Sequence, residues 1–140
     1  MARSQFLPPS AACLSASLRD LGYSLETAIA DLIDNSISAA ASEIQIFCDV
    51  SRGSSVLAIV DNGAGMTELE VIAAMRHGST DPRKRRGPKD LGRFGLGLKT
   101  ASFSQCRRLT VVSAADGKHA GAEWDLAQVE QEDDWLITIL

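Results

Sequence analysis

Thiols and imidazoles are scarce in this chain. Of its 140 residues, three are cysteine and two are histidine. Cys13, Cys48 and Cys106 lie far apart and in no metal-ligand spacing, and His77 and His119 do not complete a set. A structural zinc site needs four clustered nitrogen or sulfur ligands, so none is expected. An odd, scattered set of cysteines fits reduced thiols in a cytosol. Long apolar runs are also missing. Nothing approaches the roughly 18 residues of a membrane span, and residues 1–10 carry no apolar signal core, so neither a membrane location nor export is expected. The net charge of −4 gives no bulk attraction to nucleic acid or anionic lipid.

What remains is ordinary for a soluble globular protein, with 45% hydrophobic and 23% charged residues. The length suits one domain with a real core. Charge is unevenly placed. Arg76, Arg83, Lys84, Arg85, Arg86, Lys89, Arg93 and Lys99 form a basic segment, and residues 116–134 an acidic one. The basic run reads equally as a solvated loop or as a lid that meets polyphosphate or a partner.

Periodicity orders the chain. Residues 1–12 form an arm, because Pro8-Pro9 stops an early helix; with a short helix it extends to residue 24. Ser24 is placed to cap a helix through about Ala41, with Leu25, Ile29, Leu32 and Ile33 as its apolar stripe and Asp31, Asn35 and Ser38 opposite. Residues 43–50 alternate as a strand. Residues 56–60 are nearly all apolar and read as a buried central strand. Thr67 followed by Glu70 is a capping-box pattern, opening a helix to about Arg76. Residues 78–91 lack periodicity, residues 96–105 read as a helix, and residues 108–113 as a strand. Asp116-Gly117 is a hairpin turn, and residues 120–126 and 135–140 are further strands. The class is α+β, a mixed sheet covered on one face by helices.

Three motifs carry chemistry. In Asp31-Leu32-Ile33-Asp34-Asn35, Asp31 and Asn35 share a helix face. A carboxylate and an amide oxygen there can hold hydrated Mg²⁺ and orient a water. Alone, the pair more often describes a solvated helix face. Asp61-Asn62-Gly63-Ala64-Gly65-Met66 follows the apolar strand, which sets the Asp61 carboxylate near the core, where it needs a donor. An adenine amine is one, and glycines let backbone approach a flat ligand; the same residues also suit a plain turn. Gly92-Arg93-Phe94-Gly95-Leu96-Gly97-Leu98-Lys99 opens a helix. Its amides can cradle phosphates at a helix N-terminus, and Lys99 can add a point charge. It is not a Walker A loop, because Leu98 separates Gly97 from Lys99.

In order and spacing these motifs resemble the GHKL superfamily, the gyrase, Hsp90, histidine-kinase and MutL type of ATPase, most closely its MORC-like branch. The resemblance covers about residues 25–113. It implies a Bergerat α/β sandwich binding ATP and Mg²⁺, over residues 25–140, with an ATP lid at about 78–95. By position, Asn35 resembles the Mg²⁺-coordinating asparagine, Asp31 stands where hydrolytic branches place a catalytic glutamate, and Asp61 resembles the adenine-binding aspartate. Gly63, Gly65 and Met66 would line the base pocket. Gly92, Arg93, Phe94, Gly95, Leu96, Gly97, Leu98 and Lys99 would form the phosphate loop.

Three departures stand out. Asp31 is one methylene shorter than glutamate, Ser38 stands where many such helices carry aspartate, and no third box with its late-strand threonine is found. The chain is therefore expected to be incomplete, either the N-terminal portion of a longer ATPase or a truncated reading frame. The resemblance implies slow ATP hydrolysis driving a conformational switch, a nucleotide-dependent homodimer, and DNA as a partner by family analogy only. The alternatives are an ATP-binding module without turnover and a histidine-kinase-like catalytic domain.

Overall fold

The computed structural model describes residues 4–20, 23–51, 53–76 and 97–140. Along the chain these form α1 (Ala11–Arg19), α2 (Leu25–Ser38), β1 (Ile44–Asp49), β2 (Val56–Asp61), α3 (Glu68–Met75), α4 (Gly97–Gln105), β3 (Arg108–Ala115), β4 (Lys118–Asp125), α5 (Leu126–Glu132) and β5 (Thr138–Ile139). The class is α+β, as expected. Within it, the described strands divide into two antiparallel sheets, β1-β2 and β3-β4-β5, rather than one mixed sheet.

Local chemistry sets most boundaries. Ser24 caps α2 by accepting the Thr27 N–H at 3.2 Å. At the start of α3, the Glu70 carboxylate accepts from both the Thr67 N–H and the Thr67 hydroxyl at 2.8 Å. Asp116 and Gly117 both have positive φ and join β3 to β4 with Ala115 opposite Lys118, as a two-residue hairpin requires.

Two helices went unread or only partly read in the sequence. The arm of residues 1–12 gives way at Ala11 to α1. Ser10 caps its N-terminus by accepting the Cys13 N–H at 3.2 Å, and the Asp133 carboxylate reinforces it from a distance, accepting from the Ser10 hydroxyl at 2.7 Å and the Ala12 N–H at 3.0 Å. The Arg19 guanidinium at its other end donates to the carbonyls of Phe103 (3.1 Å) and Cys106 (2.7 Å), closing the end of α4. Helix α5 begins where a strand was expected to run on to Leu126. Asp125 turns the chain there by accepting the Ala127 N–H at 2.9 Å.

The core lies between the three-stranded sheet and the helices. Val71 and Met75 of α3, Phe103 of α4, Trp124 of β4, and Leu126 and Val129 of α5 form its buried cluster. The expectation that β2 is a buried central strand is corrected. Val56 is 58% and Val60 53% exposed. A two-stranded sheet has one face to give to α2, and these residues lie on the other. The apolar stripe of α2 is also rotated: Ala28 and Ser36 are its buried residues, while Leu25 is half exposed. Small side chains there let α4 pack closely against α2.

Candidate functional site

The end of α2 and the exit of β2 are tied together by short polar contacts. Helix α2 closes with the Ala39 N–H on the Asn35 carbonyl (3.0 Å) and the Ala40 N–H on the Ile37 carbonyl (2.9 Å). Ala40 takes φ 60°, the left-handed cap conformation usually held by glycine. The freed Ala39 carbonyl accepts the Ala64 N–H at 2.9 Å. Asn62 braces the same junction. Its side-chain oxygen accepts the Ser42 and Glu43 N–H groups at 2.9 Å, and its amide donates to the Ser42 hydroxyl at 2.9 Å.

Asp61 stands at this junction. The buried Ser36 hydroxyl, one residue beyond Asn35, donates to Asp61 Oδ2 at 2.7 Å, and the Gly63 N–H donates to Oδ1 at 2.9 Å. The residue is exposed, so the expectation of a carboxylate near the core is corrected: Asp61 finds donors within the chain and faces outward. A carboxylate has about four acceptor positions. Two are used here, which leaves capacity for an exocyclic amine. Gly63 has no room for a side chain, because a Cβ would come within 2.8 Å of the Ala39 Cβ and 2.9 Å of its carbonyl oxygen.

Gly65 and Met66 point elsewhere. Gly65 has φ +72°, and a Cβ on it would lie 1.9 Å from the Ala114 carbonyl oxygen. The Met66 N–H donates to the Ser113 hydroxyl at 2.8 Å, and the Met66 side chain packs on the core. These two residues therefore dock the exit of β2 onto β3.

On α2, Asp31 is half-buried and Asn35 exposed, one turn apart. The Tyr23 hydroxyl donates to Asp31 Oδ2 at 2.8 Å. That bond, then burial and the Asp31 charge, push the Tyr23 pKa above its ordinary value. Sequence reasoning missed Tyr23; the available signal was the chain's single tyrosine, two turns before Asp31 in a segment that caps a helix.

The third motif is only partly described. Gly92, Arg93, Phe94, Gly95 and Leu96, with the expected lid at 78–95, lie outside the described residues. Gly97 begins α4 and Leu98 packs half-buried on the core. Lys99 is 1% exposed. Its ammonium donates to the carbonyls of Ala74 at 2.8 Å and Arg76 at 2.6 Å, and burial lowers its pKa to about 8. The structure thus brings together Asp31, Asn35, Ser36, Asp61 and Gly63 along α2 and its partner turn, with α4 packed beside them. It seats the Lys99 ammonium on α3. Among the described residues there is no cluster of three or more His, Cys, Asp or Glu side chains fit for a metal, and no helix long and apolar enough to cross a membrane.

The profile of the family described as histidine kinase-, DNA gyrase B-, and HSP90-like ATPase matches residues 23–140. The chain is 33% identical over 99 residues to the DNA mismatch repair protein MutL of Streptococcus thermophilus, covering 68% of this chain and 15% of that protein. It is 34% identical over 92 residues to ATPase morc-1 of Caenorhabditis elegans, covering 65% and 10%. It is 36% identical over 79 residues to ATPase MORC2B of Mus musculus, covering 54% and 8%. The chain thus spans at most about a sixth of the length of these relatives.

Proposed function

This chain belongs to the histidine kinase-, DNA gyrase B-, and HSP90-like ATPase family, as an ATP-binding domain of that GHKL type, and we propose that its ATP site runs from Asp61 along α2 to the start of α4. The observation that supports this most directly is the Asp61 carboxylate. It is oriented by Ser36 and by the Gly63 N–H, faces outward, and keeps acceptor capacity for the adenine amine. Gly63 lets that turn sit against the end of α2.

Asn35 would hold Mg²⁺ through its side-chain oxygen. The ion, when bound, neutralises charge on the phosphate oxygens. The backbone at Gly97 and Leu98 stands at the N-terminus of α4, where N–H groups and the helix dipole favour an anion. Asp31 accepts a proton from the attacking water, and Tyr23 fixes its orientation. Hydrolysis is slow, because Asp31 reaches less far than glutamate and spends one oxygen on Tyr23. Turnover resets a two-state switch in which ATP binds one state better than the other. Dimerisation on ATP and action on DNA belong to the same proposal, supported by the kind of relatives matched.

The reading is tested by calorimetric titration with Mg²⁺ and a non-hydrolysable ATP analogue. Binding by wild type and its loss in Asp61→Asn is the expected result; equal binding by both refutes the adenine pocket. A second reading, an ATP-holding module without turnover, is favoured by the Tyr23–Asp31 bond, because it already occupies one oxygen of the carboxylate that would face the water. No ATP turnover by a wild type that binds ATP would decide for it, and equal turnover by wild type and Asp31→Asn would refute Asp31 as the base.

A further inference from the structure

Helix α3 ends without a glycine or a left-handed residue. Its cap, Arg76, is extended at φ −73°, ψ 129°. The last carbonyls of a helix have no partner within it, and here those of residues 73–76 are filled in turn. The Ala73 carbonyl accepts the Arg76 N–H at 3.2 Å. Ala74 and Arg76 accept from the Lys99 ammonium at 2.8 and 2.6 Å. Met75 accepts from the indole N–H of Trp124 at 2.9 Å. Two side chains, one from α4 and one from β4, thus complete the C-terminus of α3.

Placing an ammonium there is costly unless it is fully engaged. It is engaged by carbonyls at the negative end of a helix dipole, with 1% of the residue exposed. A lysine serving a phosphate must present its ammonium to the ligand; this one is buried and donates to two carbonyls of α3 and its cap. Lys99 also lies in the first turn of α4, two residues after Gly97. Holding its ammonium therefore fixes the start of α4 relative to the end of α3.

We propose that Lys99 is a positioning residue: its ammonium locks the C-terminus of α3 to the first turn of α4, and the geometry of that junction sets nucleotide affinity. The inference rests on the ATP-binding reading above. It departs from the expectation that Lys99 contacts phosphate, and it assigns Trp124 a part in the same lock.

The test compares wild type, Lys99→Met, Lys99→Gln and Trp124→Phe in two measurements on the full chain. The first is amide hydrogen exchange at residues 74–76 without nucleotide; the second is calorimetric affinity for Mg²⁺ with the non-hydrolysable analogue AMP-PNP. Lys99→Met is expected to speed exchange at residues 74–76 about tenfold, the scale of one or two lost hydrogen bonds, and to weaken AMP-PNP about tenfold. Trp124→Phe, at a residue 3% exposed that is not part of the ATP site proposed above, is expected to shift both in the same direction. Lys99→Gln, which keeps an N–H donor, recovers part of each.

Weaker AMP-PNP binding in Lys99→Met with wild-type exchange, and no effect of Trp124→Phe on affinity, would make Lys99 a direct phosphate ligand and overturn the proposal. If Lys99→Met fails to fold, Lys99→Gln and Trp124→Phe decide alone, by the same two measurements. A wild type that does not bind AMP-PNP would overturn the ATP reading itself, and with it the affinity half of this one. Wild-type binding with unchanged exchange in every variant overturns this inference only.

Discussion

Gly65→Ala separates a packing role from a base-pocket role at one position. Two costs arise in the structure. At φ +72°, a residue with a Cβ pays about 1–2 kcal/mol for the left-handed conformation. The Cβ would also stand 1.9 Å from the Ala114 carbonyl oxygen, so one backbone must retreat by about 1.5 Å to reach ordinary contact. That retreat breaks the 2.8 Å bond from the Met66 N–H to the Ser113 hydroxyl, worth about 1 kcal/mol, and loosens Met66 from the core. A loss of about 3 kcal/mol is expected. With a urea slope of about 1–3 kcal/mol per molar, the unfolding midpoint falls by about 1–3 M. Gly117→Ala is the control: Gly117 has the same φ of +72°, but nothing lies within 4 Å of its Cβ, so only the conformational cost of about 1–2 kcal/mol applies. Urea unfolding followed by circular dichroism measures both. If Gly65→Ala unfolds at the same midpoint as Gly117→Ala, the contact with Ala114 contributes nothing and the reasoning fails.

Four further outcomes follow from particular contacts. Ser36→Ala removes the donor that orients Asp61 and should weaken the ATP analogue about tenfold, the scale of a charge-assisted bond; unchanged affinity in calorimetry would separate Ser36 from the site. Asp31→Asn should abolish phosphate release in a coupled ATPase assay while leaving analogue affinity within about twofold. Ala40→Gly should raise stability by about 1 kcal/mol, because φ 60° suits glycine at this helix cap; a lower melting temperature would refute it. Asp133 has its pKa lowered by the Ala12 N–H and then the Ser10 hydroxyl. A carboxyl with a depressed folded pKa stabilises above its unfolded value, near 3.8, and loses that contribution as pH falls through the folded one. Asp133→Asn should therefore melt lower than wild type at neutral pH, with the gap closing in acid below that range; a gap that persists there would be inconsistent with the cap.

What was legible in the sequence is what local chemistry decides. Ser24, the Thr67–Glu70 pair and Asp116-Gly117 each fix a boundary through neighbours a few residues away, and each stands where expected. What was illegible depends on partners far along the chain. Helix α1 was read only as a short element after an arm: Ser10 caps it locally, but the bonds that seat it run to Asp133, Phe103 and Cys106, far along the chain. Helix α5 has seven mostly polar residues, and only Leu126 and Val129 are buried, too few for a periodic signal. The run of residues 56–60 implied burial on both faces, but apolar composition cannot say how many strands flank it. In the site, the choice of Asp61, Asn35 and Asp31 came from motif order, whereas the hydroxyls of Ser36 and Tyr23 that orient two of them did not. Lys99 follows three glycines and so read as a phosphate contact. In the structure its ammonium also bonds to residues 23 and 25 positions earlier, a tertiary choice that no spacing encodes.

The indole of Trp124 has an optical consequence. It meets Phe103 and Trp135 edge to face, with centroids 6.3 and 6.1 Å away, while its N–H is held by the Met75 carbonyl. The chain has two tryptophans in all, so the whole of its indole emission and near-ultraviolet dichroism arises from one coupled pair. One member of that pair is bonded to the end of α3. A displacement of α3 by a fraction of an ångström changes the transition-dipole coupling before it changes any secondary structure. The domain thus carries a built-in spectroscopic gauge of its own α3–α4 junction, readable without a label.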